Sequence, residues 1–384
     1  MSLSVNVRQI VFVMETPLTS WDVKRLGFAT MRDQGIAVQV LDIGSLAMPE
    51  VRTHYREIPT ATEGANVHVV TSFRQFHRHV RGLGKDTVVL WMSGYDRFTV
   101  LIMMLMVSHA GVRWGGMALS VAGTHAVQLQ RSYWQIWHSR LSRLRLRLIG
   151  NFIFRKLVIS TAVRPFDMFL LGCRFNRGRL YNTDDRTQIL ELATFDYSTA
   201  MTEMESVVTR PRRIVFLDDY HPFHPDFVSM GVRFTDSEID DYFHKMDVYF
   251  GLLEKKYGVE VCIAAHPRSN NWAAHPGRWR HREVISGQTN GLVAASLACV
   301  AISSTAINFA VIHRKPLFLV TMDALEAGFP YREISKHQAM KLSRPLHALD
   351  ALAAIPENTW GLDIDDGSDY VFIARMGTAD RPWD

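Results

Sequence analysis

Short apolar runs alternate regularly with amphipathic, helix-like stretches along this chain, and the alternation limits the folds open to it. The apolar runs recur in both halves of the sequence: RQIVFVM (8–14), AVQVLDI (37–43), DTVVLWM (86–92), RIVFLDD (213–219), VEVCIAA (259–265), CVAIS (299–303) and PLFLV (316–320). Runs that are apolar on both faces are typical of parallel strands covered by helices on each side. The sequence therefore predicts an α/β fold with two Rossmann-like domains facing a cleft.

The length of the chain and one polar segment indicate where the domains divide. At 384 residues the chain exceeds the usual size of a single hydrophobic core, so two domains are expected. The arginine-rich join TRPRR (209–213) precedes the restart of the strand pattern. We expect a first domain over 1–205, a second over 206–345, and a tail over 346–384 that can pack back on the first domain.

One segment supplies the basic character of the chain. Residues 97–166 contain ten Lys or Arg and no Asp or Glu, whereas the whole sequence has a net charge of +5. Within an insertion at about 127–160, tryptophans and leucines recur at helical spacing over 131–156, with arginines on another face. Such a helix suits an anionic inner-membrane surface, and a helix packed on its own domain explains the pattern equally well. No nucleic-acid module accompanies the charge, so we expect no nucleic-acid partner.

Cysteine spacing and hydropathy bear on the compartment. Cys173, Cys262 and Cys299 show no paired spacing, and the last two lie within apolar runs. This usage is typical of a reducing compartment. No apolar run approaches the roughly 18 residues needed to span a bilayer. We therefore expect a cytoplasmic protein, peripheral at the inner membrane if the basic helix binds lipid.

A first polar motif follows the run VEVCIAA, where His266-Pro267-Arg268 comes directly after the predicted strand. The carboxyl ends of strands in open α/β sheets are where phosphate groups are commonly held. His266 can donate a hydrogen bond to a phosphate oxygen or protonate it, and Arg268 adds a permanent charge for the same anion. The alternative is a turn histidine without a ligand.

A second polar motif, Ser303-Ser304-Thr305, closes the run CVAIS and repeats the arrangement about forty residues later. A helix predicted from Ala306 would begin at these hydroxyls, with its N–H groups toward a bound phosphate. Ordinary N-capping by serine or threonine is the alternative. Together the two motifs predict a site for the phosphate of a nucleotide leaving group, and hence a transferase.

Four carboxylates and one histidine at predicted strand ends are candidate catalytic or substrate-binding groups. They are Glu15, Asp196, Asp218, Asp219 and His221. A carboxylate at the end of a strand can act as a general base or hold an acceptor hydroxyl. Glu15 and Asp219 are the candidate catalytic bases. Asp218, His221 and Asp196, the last at the end of a strand predicted over 189–198, are candidate acceptor or donor contacts. A polar turn is the alternative for the whole cluster over 218–226.

Neither a dinucleotide nor a metal ion is expected from the motifs. No GxGxxG sequence follows the first predicted strand. His221, His224 and Asp226 lie close together in sequence, but their spacing matches no established metal site. We therefore predict no cofactor and no metal ligands.

With these motifs the chain resembles the GT-B glycosyltransferases of bacterial surface-polysaccharide synthesis. The resemblance covers most of the chain, from IVFVMETPLTSWD through TFDYS and FLDDYHPFHPDF to AAHPRS and ISSTAINFAVIHRKP. The last two segments are similar to the HP and Ser-Ser/Thr motifs of bacterial sialyltransferases and Kdo-type transferases, which use CMP-activated sugars. A similar pair of motifs occurs in the CDP-glycerol phosphotransferases of teichoic acid synthesis.

The resemblance implies metal-independent transfer of Kdo, sialic acid or a related ulosonate from a CMP-activated donor to a glycan or lipid-linked glycan in capsule, O-antigen or lipopolysaccharide synthesis. His266 and Pro267 would contact the CMP phosphate or ribose, and residues 303–305 the phosphate. The second domain would bind the donor and the first the acceptor. A CDP-glycerol or CDP-ribitol phosphotransferase, a UDP- or GDP-sugar transferase and a non-enzymatic binding protein of this fold stay open.

The acidic residues depart from this family pattern. The sialyltransferases carry an Asp/Glu-Asp-Gly motif, whereas here Asp218-Asp219 is followed by Tyr220 and a match to Asp-Asp-Gly occurs only at 365–367. The metal-binding DxD of the other glycosyltransferase fold has a formal match at 363–365, in an irregular tail. The departure leaves the choice of general base open between Glu15 and Asp219.

Overall fold

The computed structural model describes most of the chain as two compact units. The described residues are 7–53, 64–94, 97–119, 157–172, 181–203, 212–225, 227, 232–325 and 331–363. The first unit comprises Met1–Leu119 and Ala126–Leu192, and the second comprises Ser120–His125 and Ala193–Asp384. The predicted basic helix at 131–156 lies outside the described residues. Within them, none of the helices has both the length and the apolar character that crossing a bilayer requires.

The described part of the first unit contains a seven-stranded parallel sheet. In chain order the strands are β1 (Gln9–Met14), β2 (Ala37–Asp42), β3 (Asn66–Val69), β4 (Thr87–Trp91), β5 (Arg113–Ala118), β6 (Met168–Gly172) and β7 (Gln188–Leu192). Their spatial order is β3-β2-β1-β4-β5-β6-β7. The order reverses between β1 and β4, where Gln9 pairs with Thr87 and Val13 with Trp91. This is the doubly wound arrangement, whose ligand crevice forms at the reversal.

Helices connect these strands and cover the sheet. Those whose two ends are described are α1 (Ser20–Arg25), α2 (Phe28–Asp33), α3 (Gly44–Ala47), α4 (Pro49–Arg52), α5 (Phe73–Arg81) and α6 (Phe98–Ser108). The helix α1 begins at a capping box in which the Thr19 hydroxyl accepts from the Asp22 N–H and the Asp22 carboxylate accepts from the Thr19 N–H. Leucine, methionine and valine dominate α6, and most of its residues are buried.

The described part of the second unit contains a six-stranded parallel sheet. Its strands are β8 (Ile214–Leu217), β9 (Val261–Ala264), β10 (Val284–Ile285), β11 (Ala298–Ala301), β12 (Leu317–Thr321) and β13 (Leu346–Ala348). Their spatial order is β10-β9-β8-β11-β12-β13. The first strand, β8, therefore lies between β9 and β11, and the order reverses between β8 and β11.

The first helix in the described part of the second unit is α7 (Phe195–Glu203), which precedes β8 in the chain. The other helices are α8 (Asp236–Tyr257), α9 (Thr289–Ala295), α10 (Ile307–Ile312) and α11 (Tyr331–Lys341), with 3₁₀ segments at Pro267–Trp272, Asp323–Leu325, Leu349–Ala354 and Glu357–Trp360. The longest helix, α8, has a capping box formed by Thr235 and Glu238 and ends at Gly258, which has a left-handed φ of 64°.

Each sheet has its own hydrophobic core. In the second unit, aromatic rings from β8 and α8 pack with Trp279: the ring centroids of Phe216 and Phe250 are 5.3 Å apart, and those of Phe216 and Trp279 are 5.5 Å apart. In the first unit, the Trp114-Gly115-Gly116 run lies in β5. A Cβ atom on Gly115 would lie 2.6 Å from the Met168 carbonyl oxygen. Close packing of β5 against β6 therefore explains these glycines.

Three boundaries differ from the sequence expectation. The predicted strand over 189–198 ends at Leu192, because Thr194 caps a new helix: its hydroxyl accepts from the Tyr197 N–H and its carbonyl from the Ser198 N–H. The two units divide at 192/193, whereas the sequence placed the boundary at 205/206. The start of the predicted tail, at Leu346, forms the edge strand β13 of the second sheet; residues 364–384 lie outside the described residues.

Candidate functional site

The two predicted phosphate motifs lie on either side of β8, at one edge of the second sheet. The His266 motif follows β9, the Ser303 motif follows β11, and Asp218-Asp219 follows β8 between them. Since β8 runs parallel to both neighbours, the three carboxyl ends meet at the same edge. This is also the point where the strand order reverses, and open α/β sheets commonly bind their ligands there.

Asp218 joins the end of β8 to the loop after β9. Its Oδ1 accepts the Tyr220 N–H at 2.8 Å, and its Oδ2 accepts the His266 N–H at 3.2 Å and the Trp272 indole N–H at 2.8 Å. The side chain is buried, and burial raises the pKa of Asp218 to about 7, although the three N–H donors oppose the rise. All three of these contacts are internal to the protein.

Asp219 joins the end of β8 to the loop after β11. Its Oδ2 accepts both the N–H of Ser303, at 3.0 Å, and the Ser303 hydroxyl, at 3.1 Å. The Nε2 of His221 lies 3.6 Å from the same oxygen. Burial alone would raise the pKa of Asp219, but its interactions with His221, His266 and Ser304 outweigh burial and lower it. Asp219 therefore interacts with groups from both predicted motifs.

The hydrogen bonding of His266 fixes which ring nitrogen can donate. Its Nδ1 accepts the Arg268 N–H at 3.2 Å, so the neutral ring carries its proton on Nε2. Both side chains are half-buried, whereas Pro267 is exposed at the start of a 3₁₀ segment. The ring of His224 lies 4.9 Å from that of His266. Burial, with the charges of Arg268 and His221, holds the pKa of His224 well below its usual value.

The hydroxyl motif after β11 is tied to the protein at two of its three residues. Ser303 is half-buried and bonds to Asp219, while Ser304 is buried and its hydroxyl accepts the Ala306 N–H at 3.3 Å. Thr305 is exposed. The following helix, α10, covers Ile307–Ile312 with Ala306 as its N-cap residue, within one residue of the helix predicted from Ala306 to Ile312.

His221 and Asp196 have surroundings that the sequence did not suggest. The His221 ring is buried and stacks on Phe227 with a centroid separation of 5.2 Å. Asp196 does not follow a strand; it lies in the first turn of α7, where its Oδ2 accepts the Asn308 side-chain N–H at 2.6 Å. Asp196 therefore joins α7 to α10 within the second unit. Among the described residues, no group of three or more His, Cys, Asp or Glu side chains is arranged to hold a metal ion.

Glu15 lies in the first unit at the equivalent place, just after β1 where the strand order reverses. Its Oε1 accepts the Gly94 N–H at 2.9 Å and a hydrogen bond from the Ser93 hydroxyl; both donors follow β4. The sequence prediction missed Ser93, although the rule that identified Ser303 applies to it, since Ser93 also follows an apolar run. In each unit, a carboxylate after the first strand accepts a serine hydroxyl from across the reversal.

Comparison with known proteins identifies the fold. No protein-family model and no curated protein matches the chain. Among solved structures, the calicheamicin glycosyltransferase CalG4 is similar with a TM-score of 0.51 and 13% identity, over 96% of this chain and 93% of that chain. The spinosyn forosaminyltransferase SpnP has a TM-score of 0.46 and 11% identity, over 96% and 94%. The likeness to CalG4 shows the fold alone: two Rossmann-like domains, as in GT-B glycosyltransferases.

Proposed function

We propose that this protein is a glycosyltransferase whose nucleotide-activated donor binds at the carboxyl edge of the second sheet, where β9, β8 and β11 end. One observation supports this most directly. The loops carrying His266 and Ser303 follow strands that flank β8, and Asp219, after β8, interacts with both residues. An imidazole, a guanidinium and hydroxyls at neighbouring strand ends are groups suited to a phosphate.

The chemistry proposed for this site is stabilisation of the leaving phosphate. As the bond to the sugar breaks, negative charge grows on the phosphate oxygens of the donor. The Nε2–H of His266 and the Arg268 guanidinium would donate to those oxygens, together with the hydroxyl of Thr305. The acceptor hydroxyl would attack the sugar carbon and lose its proton to a carboxylate, with Glu15 and Asp219 as the candidate bases. The first unit would bind the acceptor glycan.

The donor proposed is a CMP-activated ulosonate such as Kdo or sialic acid, on the strength of the HP and Ser-Ser/Thr motifs. A CDP-glycerol type phosphotransferase and a UDP- or GDP-sugar transferase would use the same phosphate groups with a different nucleotide. Capsule, O-antigen or lipopolysaccharide synthesis is the proposed setting.

Within that setting, the segment 131–156 would bind an anionic membrane surface. Equal sedimentation of the protein with anionic and with neutral vesicles would contradict this.

The donor site is tested by nucleotide binding. Titration calorimetry of the full chain with CMP, CDP, UDP and GDP should give the tightest binding with CMP. His266→Ala should weaken CMP binding by about tenfold or more, because a hydrogen bond to a charged phosphate is lost. The matched control is His244→Ala, an exposed histidine on α8 outside the site, which should bind CMP as the wild type does.

Transfer itself is tested by CMP release from CMP-Kdo and CMP-sialic acid in the presence of a glycan acceptor. Release that depends on the acceptor and falls in His266→Ala supports the proposal. Full turnover by His266→Ala would contradict the assigned role of His266. Tight binding of UDP or GDP in place of CMP would redirect the donor assignment, and no binding of any of the four nucleotides would favour a non-enzymatic role.

A further inference from the structure

The two adjacent carboxylates after β8 bond in opposite directions along the edge of the sheet. Asp218 accepts N–H groups from the β9 side, at His266 and Trp272. Asp219 accepts the N–H and hydroxyl of Ser303 on the β11 side. Successive side chains of an extended chain point in opposite directions, so the two carboxylates diverge. Their hydrogen bonds show that one reaches the loop after β9 and the other the loop after β11. The contacts of each carboxylate place it between two elements of the candidate donor site.

We infer that Asp218 and Asp219 are positioning residues that together set the spacing between the His266 loop and the Ser303 loop. The pair acts as a bracket: one carboxylate holds each loop, and the peptide between them fixes the distance. This inference rests on the proposed function for its ligand, the phosphate of a nucleotide. It removes Asp219 from the candidate bases and leaves Glu15 as the predicted base.

Backbone conformation on the β9 side supports the role of Asp218. Tyr220 and Trp272 both donate to Asp218, and both have left-handed backbones, with φ of 58° and 60°. Asn270 and Asn271 are also left-handed, with φ of 43° and 59°. Bulky residues adopt this region only where the surrounding structure enforces it. The indole bond to a buried carboxylate is a contact that can hold the 270–272 segment in place.

The contacts of Asp219 suit a hydrogen-bond acceptor better than a base. One oxygen already accepts two donors from Ser303, and interactions with His221, His266 and Ser304 lower the pKa of the carboxyl group. A carboxylate whose pKa is lowered takes up a proton poorly near neutral pH. Its negative charge is instead used to hold the hydroxyl loop.

Asparagine substitutions separate positioning from proton transfer. At Asp219, an asparagine carbonyl can replace Oδ2 and still accept both Ser303 donors, but the amide cannot act as a base. At Asp218, both oxygens accept N–H groups, so an asparagine must turn its own NH₂ toward one of those donors and lose that contact. Positioning therefore predicts that Asn is tolerated better at position 219 than at position 218.

The experiment measures kcat, KM and CMP affinity for Asp218→Asn, Asp219→Asn and Asp219→Ala in the full chain. Asp218→Asn and Asp219→Ala should each lose on the order of 100-fold in kcat/KM, as expected for misplaced binding groups. The kcat/KM of Asp219→Asn should be at least about tenfold higher than that of Asp219→Ala, since the asparagine keeps the hydrogen bonds to Ser303. The control is Asp350→Asn, whose carbonyl can still accept the Asp323 N–H but which loses its ion pair with Lys245, in the same unit and without touching either loop.

Two results would overturn the inference. If kcat falls as far in Asp219→Asn as in Asp219→Ala, Asp219 is catalytic. The loss of a general base lowers kcat by about 10²- to 10⁴-fold. If Asp218→Asn and Asp219→Ala both bind CMP with wild-type affinity, the bracket does not position the donor site.

A second measurement keeps the inference separate from the proposed function. Hydrogen exchange should become faster at the His266 amide in a further variant, Asp218→Ala, which removes both acceptor oxygens, and at the Ser303 amide in Asp219→Ala, each without an effect at the other loop. If the wild type binds no nucleotide but these exchange changes occur, the proposed function fails and the bracket stands. If exchange at both amides is unchanged, the bracket is wrong whatever the protein binds.

Discussion

Protonation of His347 should destabilise the second unit at mildly acidic pH. His347 lies in β13 with 1% of its surface exposed. Its Nδ1 is 2.8 Å from the Tyr249 hydroxyl, and its Nε2 is 3.0 Å from the Thr359 hydroxyl, which donates to the Pro356 carbonyl. Because the buried Tyr249 phenol holds its proton, it donates to Nδ1, and Nε2–H donates to Thr359. The network suits a neutral ring and has no place for a second ring proton.

The size of the effect follows from the pKa of His347. Burial lowers this pKa from 6.5 to about 4. Between those values the unfolded chain binds the proton and the folded chain does not. The contribution of neutral His347 to the free energy of unfolding is therefore fully present above pH 6.5 and is lost as the pH decreases toward 4. At 1.36 kcal/mol per pH unit, the loss is about 2 kcal/mol at pH 5 and about 3 kcal/mol at pH 4.

The assay compares urea unfolding of the wild type and His347→Phe at pH 7 and pH 5, followed by tryptophan fluorescence. Phenylalanine fills the site and cannot titrate. The variant is therefore less stable than the wild type by a constant amount, but between pH 7 and pH 5 its free energy of unfolding should fall by about 2 kcal/mol less than that of the wild type. Thr359→Val keeps the imidazole and serves as a control that should retain the pH dependence. Equal losses of stability between pH 7 and pH 5 in the wild type and His347→Phe would show that His347 is not the titrating group.

Two further predictions concern packing and buried charge. Arg282→Met should lower the free energy of unfolding in urea by about 3–5 kcal/mol, because the buried Arg282 side chain pairs with two carboxylates at 2.6 and 2.9 Å. Arg280→Met, at an exposed arginine, should lower it by less than about 1 kcal/mol. Similar losses in the two variants would contradict a special role for burial. Gly44→Ala should destabilise the chain by about 1–3 kcal/mol, since its Cβ would lie 2.4 Å from the Glu15 carbonyl oxygen. Gly251→Ala, in an open helical position, should instead stabilise it by about 1 kcal/mol. Melting temperatures that change in the same direction in both variants would contradict this comparison.

Local patterns were sufficient to predict the α/β class and most strand positions. The runs ending at Asp219, Ala265 and Ser303 became β8, β9 and β11, because unbroken apolar runs of this length form buried parallel strands. The same reasoning failed at 189–198. There the apolar residues continue past the strand, but the Thr194 hydroxyl offers a cap to the following N–H groups and a helix begins. Capping depends on side-chain geometry that the hydropathy pattern does not report.

The partners of the candidate site residues could not be predicted in this way. Asp218 was expected to contact a substrate, and its carboxylate is occupied by N–H groups up to 54 residues away in sequence. Asp196 was expected at a strand end and instead bonds Asn308, 112 residues later. Both cases depend on which elements become neighbours. Hydropathy and spacing carry no direct information about that choice.

The polar groups that follow the apolar strands, at His266, Ser303 and Asp218-Asp219, can be recognised without a structure. That β8 lies between β9 and β11, and that the acidic pair therefore lies between the two phosphate motifs, is known only from the folded chain. Strand periodicity is set by neighbours along the chain, whereas strand order is set by how helices and sheet pack as a whole. The Asp219–Ser303 contact spans 84 residues and exists only once that packing is complete.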